Sequence, residues 1–192
     1  MITYIAFLRA INVGGQKLIK MEVLRRIFES LGLKNVRTYI QSGNIVFAST
    51  STNSTALTRK IEQKLKEVTG HEVTVILRKF SEIEVLVKQN PFRRIKPGSD
   101  GVLFVVFLSA MPTTKPKLPL VSKPENLEVL TIKDGAAFVV SRRKKNGLFG
   151  YPNNFVEKQL GVSGTTRNWS TVNKIVGFAA NVEGKQAERK NR

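Results

Sequence analysis

Residues 36–48 read VRTYIQSGNIVFA, and this stretch decides the fold that we predict for the chain. Two short runs, Val36 to Ile40 and Ile45 to Ala48, are rich in the β-branched and aromatic residues that strands favour. Between them, Gln41-Ser42-Gly43-Asn44 supplies Ser, Gly and Asn, which suit a tight turn with positive φ. The stretch therefore predicts a β-hairpin.

Amphipathic helices are predicted on both sides of this hairpin. Apolar residues recur at helical spacing from Lys20 to Leu31 and again from Leu57 to Val68, and a glycine follows each run closely. Strands complete the pattern at either end, at Ile2 to Leu8 and at Val73 to Leu77. The order of elements is then βαββαβ, which is typical of a ferredoxin-like unit.

The second half of the chain repeats this order loosely. Its predicted elements are a helix at 80–88, a strand at 102–108, an extended connection at 111–124, a hairpin at 127–140 across Asp134-Gly135, and helices at 153–160 and 170–180. We therefore predict an α+β protein of two ferredoxin-like subdomains, each an antiparallel sheet with helices on one face. Their predicted bounds are residues 1–79 and 80–182, followed by a basic flexible tail at 183–192.

The composition restricts the chemistry. There is no cysteine, so disulfides, zinc-thiolate sites and a cysteine nucleophile are excluded, and the single histidine, His71, cannot form a multi-histidine metal site. We accordingly predict no metal site and no cofactor. The first apolar run, Ile2 to Leu8, is too short for a secretion signal or a membrane span and is followed directly by Arg9. We expect a cytoplasmic protein without a membrane partner.

The charge is strongly positive. Lysine and arginine number 32 against 14 acidic residues, which gives a formal net charge of +18. Such an excess favours association with polyanions, of which nucleic acid is the commonest in a cytosol, although solubility alone is an alternative explanation. Part of the excess is a basic run at Arg142-Arg143-Lys144-Lys145.

The predicted topology places two polar segments at one rim of the first sheet. In a βαββαβ unit, the loop after the first strand, Asn12 to Gln16, lies at the same end as the Ser42 to Asn44 turn. Gly14 and Gly15 allow backbone amides to turn inward close to a helix start, where they can hold a phosphate or carboxylate. The spacing matches neither a Walker motif nor a dinucleotide fingerprint, and the glycines alternatively make the turn only.

Further side chains join this candidate site as planar cations, hydrogen-bonding groups or a ring. Arg9 and Arg167 suit bidentate recognition of phosphate or carboxylate. Asn168 is a candidate helix N-cap, and Trp169 is either a core anchor or a platform for a base. The other polar residues either bind the ligand or stabilise the turn by hydrogen bonds, and both alternatives are open for Asn12, Gln41, Ser42 and Asn44. The full predicted ligand-binding set is Arg9, Asn12, Gly14, Gly15, Gln41, Ser42, Asn44, Arg167, Asn168 and Trp169.

Three segments of the chain resemble a known family: LRAINVGG at 8–15, VRTYIQSGNIVF at 36–47 and TRNWSTV at 166–172. The family is widespread, mainly bacterial, and characterised only as a domain of unknown function. Its members typically begin with LRGINVGG, so that Ala10 stands here in place of glycine. The resemblance extends to about Ala180 and implies an α+β fold of two related subdomains. It implies no established activity, and the basic run lies outside the shared motifs.

These observations leave three functional hypotheses. The first is a nucleic-acid or nucleotide-binding protein without catalytic activity, with the partner held by electrostatics at the rim. The second is an enzyme that acts on a small phosphorylated or carboxylated metabolite, with the arginines as clamps. The third is a protein-interaction module that uses an exposed strand edge. No catalytic constellation is evident from the sequence, so whether the protein is an enzyme stays open.

Overall fold

The computed structural model describes residues 1–12 and 18–190, with side chains up to residue 182. Within these residues it contains two antiparallel sheets and five helices. The chain forms two compact units, of which the first is Met1–Val85 with Ile175–Arg192 and the second is Leu86–Lys174. Among the described residues, no helix combines the length and the apolar character that crossing a membrane requires.

The first unit has the order of elements that the sequence predicts. They are β1 (Ile2–Leu8), α1 (Met21–Ser30), β2 (Lys34–Tyr39), β3 (Asn44–Ser49), α2 (Ser54–Thr69) and β4 (Val75–Lys79). The strands form one sheet in the order β2-β3-β1-β4, and every neighbouring pair is antiparallel. Strand β1 therefore lies in the middle of the sheet, between β3 and β4.

The core of the first unit follows from the alternation of side chains along its strands. Tyr4, Ala6 and Leu8 of β1 point to one face, where they pack with buried apolar residues of α1 and α2. The alternate residues Ile5 and Phe7 are buried as well, so neither face of β1 is open to water. The elements are thus fixed by apolar burial on both sides of the central strand.

Helix α2 begins three residues before its predicted start. The Asn53 side chain accepts a hydrogen bond from the backbone N–H of Ala56 at 3.0 Å, which satisfies one of the free amides of the first turn. The helix ends at Gly70, whose φ of 71° is the left-handed conformation of a C-terminal cap. Because the cap lies outside the apolar periodicity, the spacing of apolar residues alone does not indicate it.

The second unit contains a five-stranded sheet. The elements from residue 80 onward are α3 (Phe80–Gln89), β5 (Gly101–Leu108), β6 (Leu120–Ser122), β7 (Leu127–Lys133), β8 (Ala136–Arg142), α4 (Asn153–Leu160), β9 (Gly164–Asn168) and α5 (Trp169–Lys190). The strand order is β6-β7-β8-β5-β9, with antiparallel neighbours throughout. The first part of α3 and the second part of α5 belong to the first unit.

The two sheets share an order of strands. Apart from the edge strand β6, the path β7-β8-β5-β9 corresponds to β2-β3-β1-β4 of the first sheet. The connection from β5 to β7, residues 109–126, contains no helix, and it contains β6 where the sequence predicts an extended segment. Three residues of β6 pair with β7 and extend the sheet by one edge.

Strand β9 is absent from the sequence-based prediction. Its residues, Gly164-Thr165-Thr166-Arg167-Asn168, contain no apolar side chain, so no hydrophobic alternation indicates a strand. Pairing with β5, including Val105 opposite Arg167, fixes the extended conformation. The helix after it begins at Trp169 and continues to Lys190, ten residues beyond the end that we predict at Ala180.

Candidate functional site

The loop after β1 and the turn between β2 and β3 lie against each other. The Asn12 side chain donates a hydrogen bond from Nδ2 to the backbone oxygen of Gln41 at 3.1 Å. In addition, the backbone N–H of Leu8, the last residue of β1, donates to the backbone oxygen of Gly43 in the turn at 2.8 Å. Asn12, the first residue of the predicted loop, therefore lies at the same end of the sheet as this turn, as we predict. We refer to residues 9–12, 19 and 40–44 as the rim.

Asn12 also closes the loop in which it lies. Its Nδ2 donates to the backbone oxygen of Ile19 at 3.1 Å, and the backbone N–H of Ile19 donates to Asn12 Oδ1 at 2.8 Å. The side-chain amide thus pairs with Ile19 as a backbone peptide group does in an antiparallel ladder. The predicted residues Gly14 and Gly15 belong to the segment whose ends this amide joins, and they lie outside the described residues.

Four backbone positions at the rim have positive φ: Ala10 at 54°, Asn12 at 54°, Ile40 at 48° and Gly43 at 71°. Glycine and asparagine accept this region readily, whereas a β-branched residue such as isoleucine does so rarely. Ala10 stands where the family signature has glycine, and the left-handed backbone gives the physical reason for glycine there. Strained residues of this kind collect at functional sites more often than elsewhere.

Most polar side chains of the turn are engaged in holding it. Asn44 is fully buried, and its Nδ2 donates to Ser42 Oγ at 2.8 Å and to the backbone oxygen of Tyr39 at 3.2 Å. Gln41 is exposed, and its backbone oxygen is the acceptor for Asn12. For Asn44 and Ser42, the turn chemistry that the sequence analysis left open is therefore present in the structure.

Arg9 follows the last residue of β1 and is partly buried. Its backbone N–H donates to the oxygen of Thr74 at 2.9 Å, just before β4 begins. The residue is thereby fixed at the same end of the sheet as Asn12 and the β2–β3 turn. An arginine in this place supplies positive charge beside the loop that contains the two glycines.

Arg167 lies within β9, and its side chain is buried with 7% of its surface exposed. Its Nη1 donates to Thr165 Oγ1 and to the backbone oxygen of Thr166, both at 2.8 Å. Burial lowers the pKa of the guanidinium to about 10, and the neighbouring Tyr151 opposes this in part. The side chain stays protonated at neutral pH, and its charge is held at a cost in folding free energy.

Trp169 and Asn168 occupy the junction between β9 and α5. The Trp169 ring packs edge-on against Phe92 with 5.3 Å between centroids, and Phe92 in turn packs against Phe138 at 5.6 Å. Asn168 is exposed and directly precedes the first residue of α5, which is the position of an N-cap. The predicted site residues therefore divide between the units: Arg9, Asn12, Gln41, Ser42 and Asn44 are in the first, and Arg167, Asn168 and Trp169 are in the second.

Sequence reasoning missed two residues that shape the rim. Ile19 is the residue to which Asn12 is tied, and Ile40 has the left-handed backbone of the turn. Neither residue type signals these roles, because both depend on contacts between distant segments. Among the described residues no group of three or more histidine or acidic side chains is placed to hold a metal ion.

We expect Ile40→Asn to stabilise the first unit. The substitution relieves the left-handed strain of a β-branched residue, and Ile40 is 52% exposed, so little burial is lost. The free energy of unfolding should rise by about 1 kcal/mol in urea denaturation. As a control, Val121→Asn removes an exposed β-branched residue from β6 of the second unit and should lower the free energy of unfolding of that unit by a few tenths of a kcal/mol. Destabilisation by Ile40→Asn would contradict the assignment of strain.

The architecture defines a two-unit α+β protein whose two sheets share an order of strands. The sequence pattern of a protein family of unknown function, DUF1697, matches residues 1–138, and the chain belongs to this family. The match contains the first two signature segments, and the third, at 166–172, lies beyond it.

The fold is similar to that of a solved bacterial structure, the conserved bacterial protein SP0830 from Streptococcus pneumoniae. The TM-score is 0.64 and the sequences are 21% identical, over 93% of this chain and 98% of that one. At this identity the likeness concerns the fold alone. No curated protein matches the chain.

Proposed function

We propose that the protein binds a phosphate-bearing ligand, a nucleotide or nucleic acid, at the rim of the first unit. In this proposal the backbone N–H groups of Gly14 and Gly15 donate hydrogen bonds to the phosphate oxygens, and Arg9 provides the positive charge. The observation that carries the proposal is the double attachment of Asn12, which joins the ends of the glycine segment to each other and to the β2–β3 turn. Asn12 is then a positioning residue that holds the segment ready for the ligand.

The strained backbone and the charge support the same reading. A loop whose ends are fixed before binding loses less conformational entropy when a ligand arrives. The net charge of +18 raises the local concentration of anions around the whole molecule. Ala10 and Ile40 keep unfavourable backbone conformations beside the segment, which is typical of a site where geometry takes precedence over stability.

Recognition would rest on phosphate groups and not on stacking against the first sheet. Tyr4, Phe7 and Phe47, the aromatic residues of its central strands, are fully buried and present no ring to a base. Sheets that read RNA do so through exposed aromatic rings. Trp169 and Arg167 of the second unit, with Asn168 beside them, remain proposed ligand contacts, and their substitution is tested in the same titrations.

We also infer that both units are ferredoxin-like. The support is the βαββαβ order of the first unit and the corresponding order of four strands in the second sheet. The segment at 109–126 would then be a replacement for one helix of an ancestral unit. The proposed site belongs to the first unit, in which both crossover helices are present.

The test is a titration of the whole protein with inorganic phosphate, followed through backbone amide NMR shifts. We expect the largest shifts at residues 9–19 and 40–44. Arg9→Gln should weaken binding about tenfold, which corresponds to the loss of one charge-assisted hydrogen bond. Arg37→Gln is the matched control, because Arg37 is an exposed residue of β2 in the same unit and carries the same charge. Equal weakening by the two variants, or shifts confined to other residues, would overturn the proposal.

A further inference from the structure

A second basic feature lies in the second unit, away from every predicted site residue in sequence. A pocket of about 540 Å³ is present at the open end of the β7–β8 hairpin, between the turn before β7 and the segment after β8. We call it the basic pocket, and its lining residues are Lys123, Pro124, Asn126, Arg143, Lys144, Lys145 and Asn146. Its volume is in the range of pockets that hold small organic ligands, and it exceeds the size of a single phosphate group.

Two hydrogen bonds and one close backbone approach hold the two walls of the basic pocket together. The Asn126 side chain donates from Nδ2 to the backbone oxygen of Arg143 at 2.9 Å, and the backbone N–H of Arg142 donates to the oxygen of Asn126 at 2.8 Å. At Gly150, a Cβ would lie 2.0 Å from the oxygen of Glu125, so only glycine permits this approach of the chain. The pocket is therefore formed before any ligand binds.

The side chain of Arg143, in the segment after β8, is also held in place. The Arg143 side chain donates from Nη1 to the backbone oxygen of Gly147 at 2.7 Å. Its guanidinium lies 4.7 Å from the centre of the Phe149 ring, a cation–π geometry. Because its orientation is already restricted, Arg143 loses little conformational freedom when it contacts an anion.

The charge balance of the basic pocket is positive. Lys144 Nζ lies 3.1 Å from Glu125 Oε2, and Arg143 Nε lies 3.7 Å from Asp100 Oδ1, so carboxylates face two of the four cations. Lys123 and Lys145 form no ion pair with any residue in the described part of the chain. Two positive charges therefore remain over a preformed concave surface.

We propose that the basic pocket binds neighbouring phosphate groups, as carried by a nucleic-acid strand or a free polyphosphate. Lysine ammonium groups act as point charges for phosphate, and the fixed Arg143 adds a planar donor. Asn146 is a further polar residue that lines the same pocket. This site shares no residue with the rim. In this proposal the basic run at 142–145, which lies outside the family signatures, contributes to phosphate binding.

The experiment compares two double variants that remove the same charge from the second unit. Lys123→Gln with Lys145→Gln removes the two cations of the basic pocket that have no carboxylate partner. Lys115→Gln with Lys117→Gln is the control, since both residues are exposed and outside the pocket. Binding of a fluorescein-labelled single-stranded oligothymidylate is measured by anisotropy across a series of salt concentrations.

We expect the pocket variant to bind about tenfold more weakly than the wild type at about 0.15 M salt, with a slope of log K against log salt that is shallower by about 1.4. The control should stay within about twofold of the wild type. Equal losses in both variants would show that only bulk charge acts and would overturn the proposal, as would an unchanged affinity of the pocket variant.

Inorganic tripolyphosphate distinguishes the two sources of phosphate. Displacement of the oligonucleotide by tripolyphosphate, with the same dependence on Lys123 and Lys145, identifies a free polyphosphate as a sufficient ligand. Failure of tripolyphosphate to displace the oligonucleotide identifies the nucleic-acid strand as the ligand. The Arg9→Gln variant separates this site from the rim, because it should weaken phosphate binding at the rim and leave the loss caused by the pocket variant unchanged.

Discussion

Gly43→Ala is expected to destabilise the first unit by about 3 kcal/mol. The φ of 71° costs an alanine about 1 kcal/mol. Its Cβ would also lie 2.8 Å from Ile11 Cδ1 and 3.0 Å from Leu8 Cβ, and both of these side chains are buried and cannot withdraw freely. Overpacking of this kind adds about 2 kcal/mol. In urea denaturation, the midpoint should fall while the slope stays unchanged.

Gly32→Ala is the matched control for this experiment. Gly32 follows α1 with a φ of 78°, but no atom lies within 4 Å of the position of its Cβ. Its substitution should therefore cost only the backbone term, about 1 kcal/mol. Similar losses in the two variants would show that the contact of the turn with Ile11 and Leu8 does not restrict Gly43.

Arg167→Met is expected to lose stability relative to the wild type as the pH rises above about 10. Holding the guanidinium charged in its buried place costs about 3 kcal/mol, because burial lowers its pKa from the usual value to about 10. The variant also loses the hydrogen bonds of the guanidinium, among them those to Thr165 and Thr166, worth about 1 kcal/mol each. These losses offset the gain at neutral pH, so the decisive result is the change of the difference with pH.

The direction of the pH dependence follows from proton linkage. The pKa of Arg167 is lower in the folded chain, so in the window that begins at about pH 10 the unfolded chain holds more protons at this residue. The unfolding free energy of the wild type therefore rises with pH in this window, relative to that of the variant, by about 1.4 kcal/mol for each pH unit. Lysines titrate equally in both proteins, and the difference between the two removes their contribution.

Chemical denaturation of both proteins at intervals from pH 7 to about pH 11 measures this difference. Arg93→Met, which removes an exposed arginine from the same unit, controls for the loss of one positive charge. A difference between wild type and Arg167→Met that stays constant above pH 10 would contradict the lowered pKa. Weaker phosphate binding by the folded Arg167→Met variant, with Arg93→Met unchanged, would support a ligand-binding role for Arg167.

Much of the first unit was predictable because its signals are local. The apolar spacing of α1 and α2 and the turn residues between β2 and β3 indicate their elements without reference to the rest of the chain. The common order of βαββαβ units then places Asn12 and Gln41 at one end of the sheet, and their hydrogen bond confirms it. Each step uses a rule that depends on few residues.

The second unit was less predictable where an element depends on its neighbours. Strand β9 has polar residues throughout and becomes extended by pairing with β5, and β6 is three residues long and forms against β7. A strand at an edge needs little apolar character, because its hydrogen bonds to the adjacent strand provide much of its stability. The strand that contains Arg167 was therefore not predicted.

The candidate site also combines features that the sequence indicated with features that only tertiary contacts show. The residue types at the rim indicated polar contacts, but the pairing of the Asn12 amide with Ile19 is visible only when residues seven apart are brought together. The left-handed backbone at Ala10 and Ile40 contradicts the ordinary preference of both residues. The basic pocket joins two segments about 20 residues apart, and the sequence displays only the charges of one of them.

By itself, the sequence determined the positive charge, the exclusion of cysteine chemistry and the elements of the first unit, because these follow from composition and from spacing along the chain. The tertiary structure alone decided which side chains are buried, which backbone positions are strained and which cations surround a pocket. Those properties arise from contacts between distant residues, and the free energy of such contacts outweighs local preference wherever burial and hydrogen bonding demand it.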